Sequence, residues 1–275
     1  MRKIGTIALL ALLLGASVAE PALAGPLEDG VAAYEKHDYT TAVKLFQQVD
    51  TDRHAQFYLA RIYDEGGYGV SKDPAAAVLW YRKAADQGSG AAQNNLGVAY
   101  KHGEGVTKDY AEAVKWYRKS AENGDDYGQV NLGEMYMSGL GVEENKVEAM
   151  KWYRLSAAQG QERAQYKLGE MYRSGDGTMQ DYAQALEWFR KSADQDYSRA
   201  QEALARMYRE GQGTKKDLVQ AHKWLNINCT RHPDAASCSV RSELEKTMTS
   251  EQVLEAQKLA RGWVPKAERP WWKLW

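Results

Sequence analysis

Residues 101–124 read Lys-His-Gly-Glu-Gly-Val-Thr-Lys-Asp-Tyr-Ala-Glu-Ala-Val-Lys-Trp-Tyr-Arg-Lys-Ser-Ala-Glu-Asn-Gly, and the fold follows from them. Gly103 and Gly105 bracket a reversal, because a glycine after a helical stretch supplies a left-handed cap at no steric cost. After Asp109, the residues Ala113, Trp116, Tyr117 and Ala121 fall at i, i+3, i+4 and i+8. That spacing is the apolar stripe of an amphipathic helix. Gly124 ends it.

Outward from this stretch the pattern recurs. Trp80, Trp116, Trp152, Trp188 and Trp224 stand 36 residues apart, which requires a fixed structural period. Leu96, Leu132, Leu168 and Leu204 keep the same step, as do Tyr100, Tyr136, Tyr172 and Tyr208, and an alanine precedes each Trp by three residues. The first copy carries one extra residue before Val70, so Leu59 and Tyr63 lie 37 ahead of their counterparts. The paired glycines recur as Gly139 with Gly141, Gly175 with Gly177, and Gly211 with Gly213. Each unit therefore reads as helix, glycine turn, helix. Gly88, Gly124 and Gly160 close the second helix; Asp196 takes that place in the fourth unit, and aspartate tolerates the left-handed conformation. One such pair cannot bury its own stripe. Stacked pairs can, which predicts an all-α, right-handed α-solenoid of helix-turn-helix repeats of about 36 residues with a concave side. Small residues at Ala60, Gly97, Gly133, Gly169 and Ala205 let paired helices approach. The tryptophans are expected in the core, joining neighbouring pairs, and not around a ligand.

The order Leu-Gly-x-x-Tyr, Gly-x-Gly-Val, Asp-Tyr-x-x-Ala-x-x-Trp-Tyr-x-x-Ala-Ala-x-x-Gly resembles the Sel-1-like repeats, relatives of the tetratricopeptide repeats, and residues 101–124 come close to a consensus copy. The resemblance covers five units over residues 55–228. It implies an α-solenoid that acts as an adaptor, of a kind often exported by bacteria.

The ends read differently. Residues 1–24 have the build of a signal peptide: Arg2 and Lys3, an apolar run from Ile4 to Val18, and Ala22-Leu23-Ala24 before Gly25. The run is about 15 residues, short of the roughly 20 that span a bilayer; the alternative is an uncleaved anchor helix. The mature protein is expected in the periplasm or secreted, with no stable membrane span. In that compartment Cys229 and Cys238 are expected to form a disulfide around Pro233. A metal site with His222 and His232 is the other reading. It suffers from an awkward His232–Cys238 interval and from the lack of a carboxylate between the cysteines. Residues 25–54, with Tyr34, Tyr39, Ala42 and Phe46 and a turn at Lys36-His37-Asp38, read as a capping helical pair. Residues 229–275 form a closing segment, in which Thr249-x-x-Gln252 is a capping box for a helix over 249–261. Its tail, Pro270-Trp271-Trp272-Lys273-Leu274-Trp275, either folds back on the solenoid, docks a partner or anchors at a membrane interface.

The chain has 36 basic and 37 acidic residues, so nothing draws it to nucleic acid. No metalloprotease, nucleophile-elbow, phosphate-loop or Ser-x-x-Lys pattern occurs, and no catalytic residue, metal or cofactor is expected. Some cysteine-rich relatives of the family are described as β-lactamases. This chain lacks their cysteine pair in each repeat, so a hydrolase is kept only as the rival class, beside a secreted factor engaging host surfaces. The expected partner is a protein or peptide, bound by a monomer. Counting from each repeat Leu, positions −5, −2, +2 and +5 are free of the core pattern, and by resemblance to tetratricopeptide repeats they line the concave groove. They include Asn94, Val98 and Lys101; Val130, Glu134 and Met137; Tyr166, Glu170 and Arg173; and Arg199, Glu202, Arg206 and Arg209. These differ between copies, as a non-repeating guest requires. The last set is basic and suits a peptide carboxylate or an acidic segment.

Overall fold

The computed structural model describes residues 25–233 and 236–266. Over these the chain is an α-solenoid of fourteen α-helices with no strand. A capping pair, α1 (Pro26–Glu35) and α2 (Tyr39–Phe46), turns at His37, which has a positive φ. Five pairs follow: α3 (Arg53–Glu65) with α4 (Pro74–Asp86), α5 (Gly90–His102) with α6 (Tyr110–Glu122), α7 (Asp126–Ser138) with α8 (Lys146–Ala158), α9 (Glu162–Ser174) with α10 (Tyr182–Ala193), and α11 (Ser198–Glu210) with α12 (Leu218–Arg231). Two more helices close the stack, α13 (Ser237–Glu245) and α14 (Ser250–Arg261). The Thr249–Gln252 capping box opens α14 as expected. The closing segment also holds α13, a helix beyond those expected from the sequence. The expected signal peptide of residues 1–24 and the tail of residues 270–275 lie outside the described residues.

The turn inside each pair is built from backbone bonds. Gly103, Gly139, Gly175 and Gly211 end the first helices in the left-handed conformation. Each second helix is capped by a side chain at Asp73, Asp109, Asn145, Asp181 or Asp217, satisfying amides that a helix start leaves unpaired. The same capping residue donates its own N–H to the carbonyl of the repeat tyrosine, as Asp109 does to Tyr100 at 2.9 Å and Asp217 to Tyr208 at 2.8 Å. The tyrosine hydroxyl then accepts from an arginine of the preceding second helix: Arg118 to Tyr136 at 2.5 Å, Arg154 to Tyr172 at 3.0 Å and Arg190 to Tyr208 at 2.5 Å. Asp196 has the positive φ expected of it.

Between pairs runs a buried glutamine ladder. Gln93, Gln129 and Gln165 each donate to a carbonyl at the end of the preceding repeat: Ala85, Ala121 and Ala157. Each also accepts from the end of its own repeat, from Asn123, Gln159 and Gln195 at 2.8–2.9 Å. Helix C-termini leave carbonyls without intrahelical partners, and the ladder supplies partners inside the stack.

The tryptophans occupy the joints between pairs, but they are not the deepest residues. Trp116 and Trp224 are buried, whereas Trp80, Trp152 and Trp188 are half-buried. Lysine ammonium groups lie over indole faces at Trp80 (Lys83, 3.8 Å), Trp116 (Lys119, 4.1 Å), Trp188 (Lys191, 4.3 Å) and Trp224 (Lys223, 4.4 Å). A ring edge at the solvent boundary covered by an aliphatic stem suits such placement. The fully buried position is the next residue, Tyr117, Tyr153 and Phe189.

Candidate binding surface

The first helices of successive pairs share one face of the stack, where α1 touches α3 and α5 touches α7 directly, the face expected to be the inner one. Side chains from these helices meet across repeat boundaries. At the middle of the face Glu134 receives Lys101 at 3.8 Å, Lys167 at 3.0 Å and Arg163 in a close pair. Only 17% of its side chain is exposed. Burial works against its ionised form, but Arg163 and Lys167 outweigh that and hold the carboxyl below its ordinary value. One carboxylate thus holds cations from the repeats on both sides of its own.

On either side the face opens. The N-terminal cleft, of about 570 Å³, is lined by Tyr34 of α1, Phe57, Tyr58 and Arg61 of α3, Asn94 and Asn95 of α5, and Tyr127 of α7. Arg61 pairs with Glu65 at 2.5 Å and lies 5.4 Å from the Tyr34 ring centre. The C-terminal cleft, of about 510 Å³, is lined by Tyr166 of α9, Arg199, Glu202, Arg206 and Arg209 of α11, Leu225 of α12, and Ser237 and Val240 of α13. Burial, with Glu170 nearby, pushes the Tyr166 phenol up.

The expected groove residues fall into three groups. Tyr166, Arg199, Glu202, Arg206 and Arg209 come together in the C-terminal cleft, and Asn94 reaches the N-terminal one. Lys101, Glu134, Glu170 and Arg173 lie on the same face, already engaged: Arg173 binds Glu170 through two nitrogens at 3.2 and 3.0 Å. The third group is drawn inward. Val130 is fully buried in the core joining the third and fourth repeats and is not a groove residue, because Ala149, Met150 and Leu168 close over it. Met137 packs against the same core. Val98 lines a separate cavity of about 160 Å³ between α3, α4 and α5. Asn94 is itself buried, accepting from Asn131 at 2.7 Å.

Residues missing from the expected set include Arg163 and Tyr127, both at the −5 position, and Lys167 and Asn95, one residue before the repeat Leu. Position −1 sits about 100° around the helix from the Leu and shares the inner face with +2. Beyond the clefts, Cys229 of α12 and Cys238 of α13 form a disulfide with Cα atoms 4.9 Å apart. His222 is buried with Nε2 2.7 Å from Glu245. Neither geometry gathers the metal ligands considered from sequence, and no cluster of three or more such ligands occurs among the described residues.

A Sel1 repeat model matches five successive stretches, residues 53–89, 90–125, 126–161, 162–197 and 198–227. Among solved structures, a Sel1 repeat protein from Oxalobacter formigenes is similar at 29% identity, with 90% of this chain and 100% of that one covered and a TM-score of 0.75. The immunity protein Pa5087 from Pseudomonas aeruginosa is similar at 19% identity over 75% of this chain and 84% of that one, with a TM-score of 0.52; that likeness is one of fold. No curated protein matches the chain.

Proposed function

The chain belongs to the Sel1 repeat family, whose members generally serve as protein-interaction scaffolds, and from that premise we propose that it is an exported, non-enzymatic scaffold that holds a segment of a partner protein along its inner face. The observation that carries the reading is the contrast between conserved and variable positions within one molecule. Packing positions repeat from unit to unit, whereas the inner face changes from an aromatic cleft, through the Glu134 ion-pair cluster, to an arginine-lined cleft. A surface that varies along a regular frame suits a guest whose own side chains vary along its length.

Export is supported by the signal-like residues 1–24 and by the Cys229–Cys238 disulfide, which belongs to an oxidising compartment. No helix among the described residues is long and apolar enough to cross a membrane. Periplasm and secretion share the same leader chemistry.

The test is affinity capture of envelope proteins by the purified mature chain. It compares wild type with Arg206→Glu/Arg209→Glu at one end of the face and Tyr127→Ser at the other. Tyr127 is 40% exposed, so its loss should leave the frame intact. A partner recovered by wild type should be depleted by at least one variant. Equal recovery by all three proteins would reject the inner face as the binding surface.

A further inference from the structure

We infer that the C-terminal cleft recognises an extended, acidic segment of a partner protein; the inference rests on the reading of the inner face as the partner-binding surface. Three arginines of α11 line the cleft beside a single carboxylate, Glu202. None of them is well neutralised. Glu170 is taken up by Arg173 in a two-nitrogen pair, which leaves Arg206 a contact of 3.9 Å. Arg209 has one contact, 3.3 Å, to its chain neighbour Glu210, and Arg199 has no ion pair or hydrogen bond among the described residues. In the middle of the same face the cations are held more closely, with Arg163 and Lys167 in short pairs on a largely buried Glu134. The arginines at this end are therefore the more weakly paired cations of the face.

A second feature points into the same space. Ser237, on the α13 wall, is 2% exposed, and its Oγ has no hydrogen-bond partner among the described residues. A buried polar atom without a partner is rare in a native structure, and this one belongs to a residue that lines the cationic cleft. Val240 and Leu225 supply an apolar surface next to it.

Spacing narrows the guest. Along a helix Arg199 and Arg206 are separated by about 10 Å, and Arg206 and Arg209 by about 4.5 Å, at 1.5 Å per residue. One carboxylate cannot serve all three. In an extended chain, side chains on one side recur about every 6.7 Å, so two or three acidic residues at alternate positions match the row of guanidiniums. Each contact is charge-assisted and directional.

The experiment uses the oxidised mature chain and fluorescein-labelled synthetic peptides read by anisotropy. One peptide alternates Glu and Leu and has an amidated C-terminus; a second has Gln for every Glu; a third is the Gln peptide with a free C-terminal carboxylate. The Glu peptide should bind with an affinity that falls as salt rises. Arg206→Glu/Arg209→Glu, with an unchanged unfolding midpoint, should weaken it about tenfold or more, and Ser237→Ala should weaken it by a smaller factor. Equal binding of the Gln peptide, binding confined to the free-carboxylate peptide, or full binding by the charge-reversed protein would each overturn the inference. If the acidic peptide fails while a captured partner is still lost on Tyr127→Ser, the inner face stands and only this assignment falls.

Discussion

Gly133 and Tyr153 are matched: a Cβ built on the glycine would lie 2.7 Å from the tyrosine ring. The same relation holds between Gly97 and Tyr117 and between Gly169 and Phe189, at 2.6 Å in each case. The glycine is the floor on which the most buried ring of the repeat rests. Gly133→Ala gains about 1 kcal/mol of helix propensity but forces a packed ring to move, at about 1–3 kcal/mol. The ring wins because Tyr153 is 1% exposed and enclosed on both sides of the joint. A net loss of about 1 kcal/mol is expected in urea unfolding. Combining Gly133→Ala with Tyr153→Leu, the pairing that Ala205 and Leu225 make in the fifth repeat, should lose less than the sum of the single variants. Strict additivity would show that the two residues are not coupled.

The second glycine of each turn has a different task. Gly141 has φ +70°, and a Cβ there would stand 2.3 Å from the Tyr110 carbonyl of the preceding repeat. Gly139, with φ +62°, has nothing nearer than Glu144 at 3.3 Å. Left-handed strain costs each position about 1–2 kcal/mol on change to alanine. Only Gly141 adds a backbone collision that separates two repeats, so Gly141→Ala should cost about 3 kcal/mol or more. Gly139→Asn should cost less than 1 kcal/mol, roughly, since asparagine accepts this conformation. Thermal midpoints of the two variants check the ordering; similar losses would refute the division of labour.

The helix order was legible because it depends on periodic features: the 36-residue tryptophan step and the glycine pairs. What lies deepest was not. Trp152 and Tyr153 are adjacent, and a rotation of about 100° per residue decides which one faces the partner helix; hydrophobicity favours the tryptophan, and geometry favours the tyrosine. The inner face shows the same limit. Asn94, Val130 and Tyr166 hold equivalent places, yet Val130 is sealed in the core while Tyr166 lines a cleft. Their exposure depends on what the neighbouring repeat presents, which no single repeat encodes. Helix α13 has few apolar residues of its own and is placed by Leu244 and the link from Cys238 to α12.

Glu134 links acidity to stability. Its folded carboxyl titrates below the ordinary 4.5, so its contribution is complete above that value and is lost as pH falls through the folded one. Glu134→Gln leaves Lys101, Arg163 and Lys167 facing one another and should cost about 1–3 kcal/mol at pH 7. The difference between wild type and variant should shrink as pH drops below 4.5. A gap that stays constant from pH 7 to pH 3 would show that the ionised carboxylate is not what holds the cluster.

The disulfide closes a loop with a sequence separation of 9, for which loop-closure entropy gives about 2.5 kcal/mol. Cys229→Ser/Cys238→Ser should lower the unfolding free energy by roughly that amount. The loss should be local, because the main packing of α13 among the described residues is against α12, at the end of the stack. Hydrogen exchange should rise in residues 237–245 and stay unchanged in α3 to α8. Uniform acceleration across all repeats would mean that the link supports the whole solenoid.

Tyr153 carries its hydroxyl into the core without a hydrogen-bond partner among the described residues, and so does Tyr117. Burial pushes the Tyr153 phenol up, as expected of a group that cannot ionise where it sits. An unpaired buried hydroxyl costs about 1–3 kcal/mol, and the fourth repeat already omits it, with Phe189 fully buried in the same place. Tyr153→Phe should therefore be neutral or stabilising by up to about 1 kcal/mol. Tyr153→Ala should cost about 3–5 kcal/mol, the loss of a full aromatic from a closed site. Trp152→Ala should cost less, about 2 kcal/mol, since that indole is half-buried and part of its surface already faces water. Urea unfolding of the three variants tests the order. A tryptophan loss equal to or larger than the tyrosine loss would place the indoles, and not the rings beside them, at the centre of the joints.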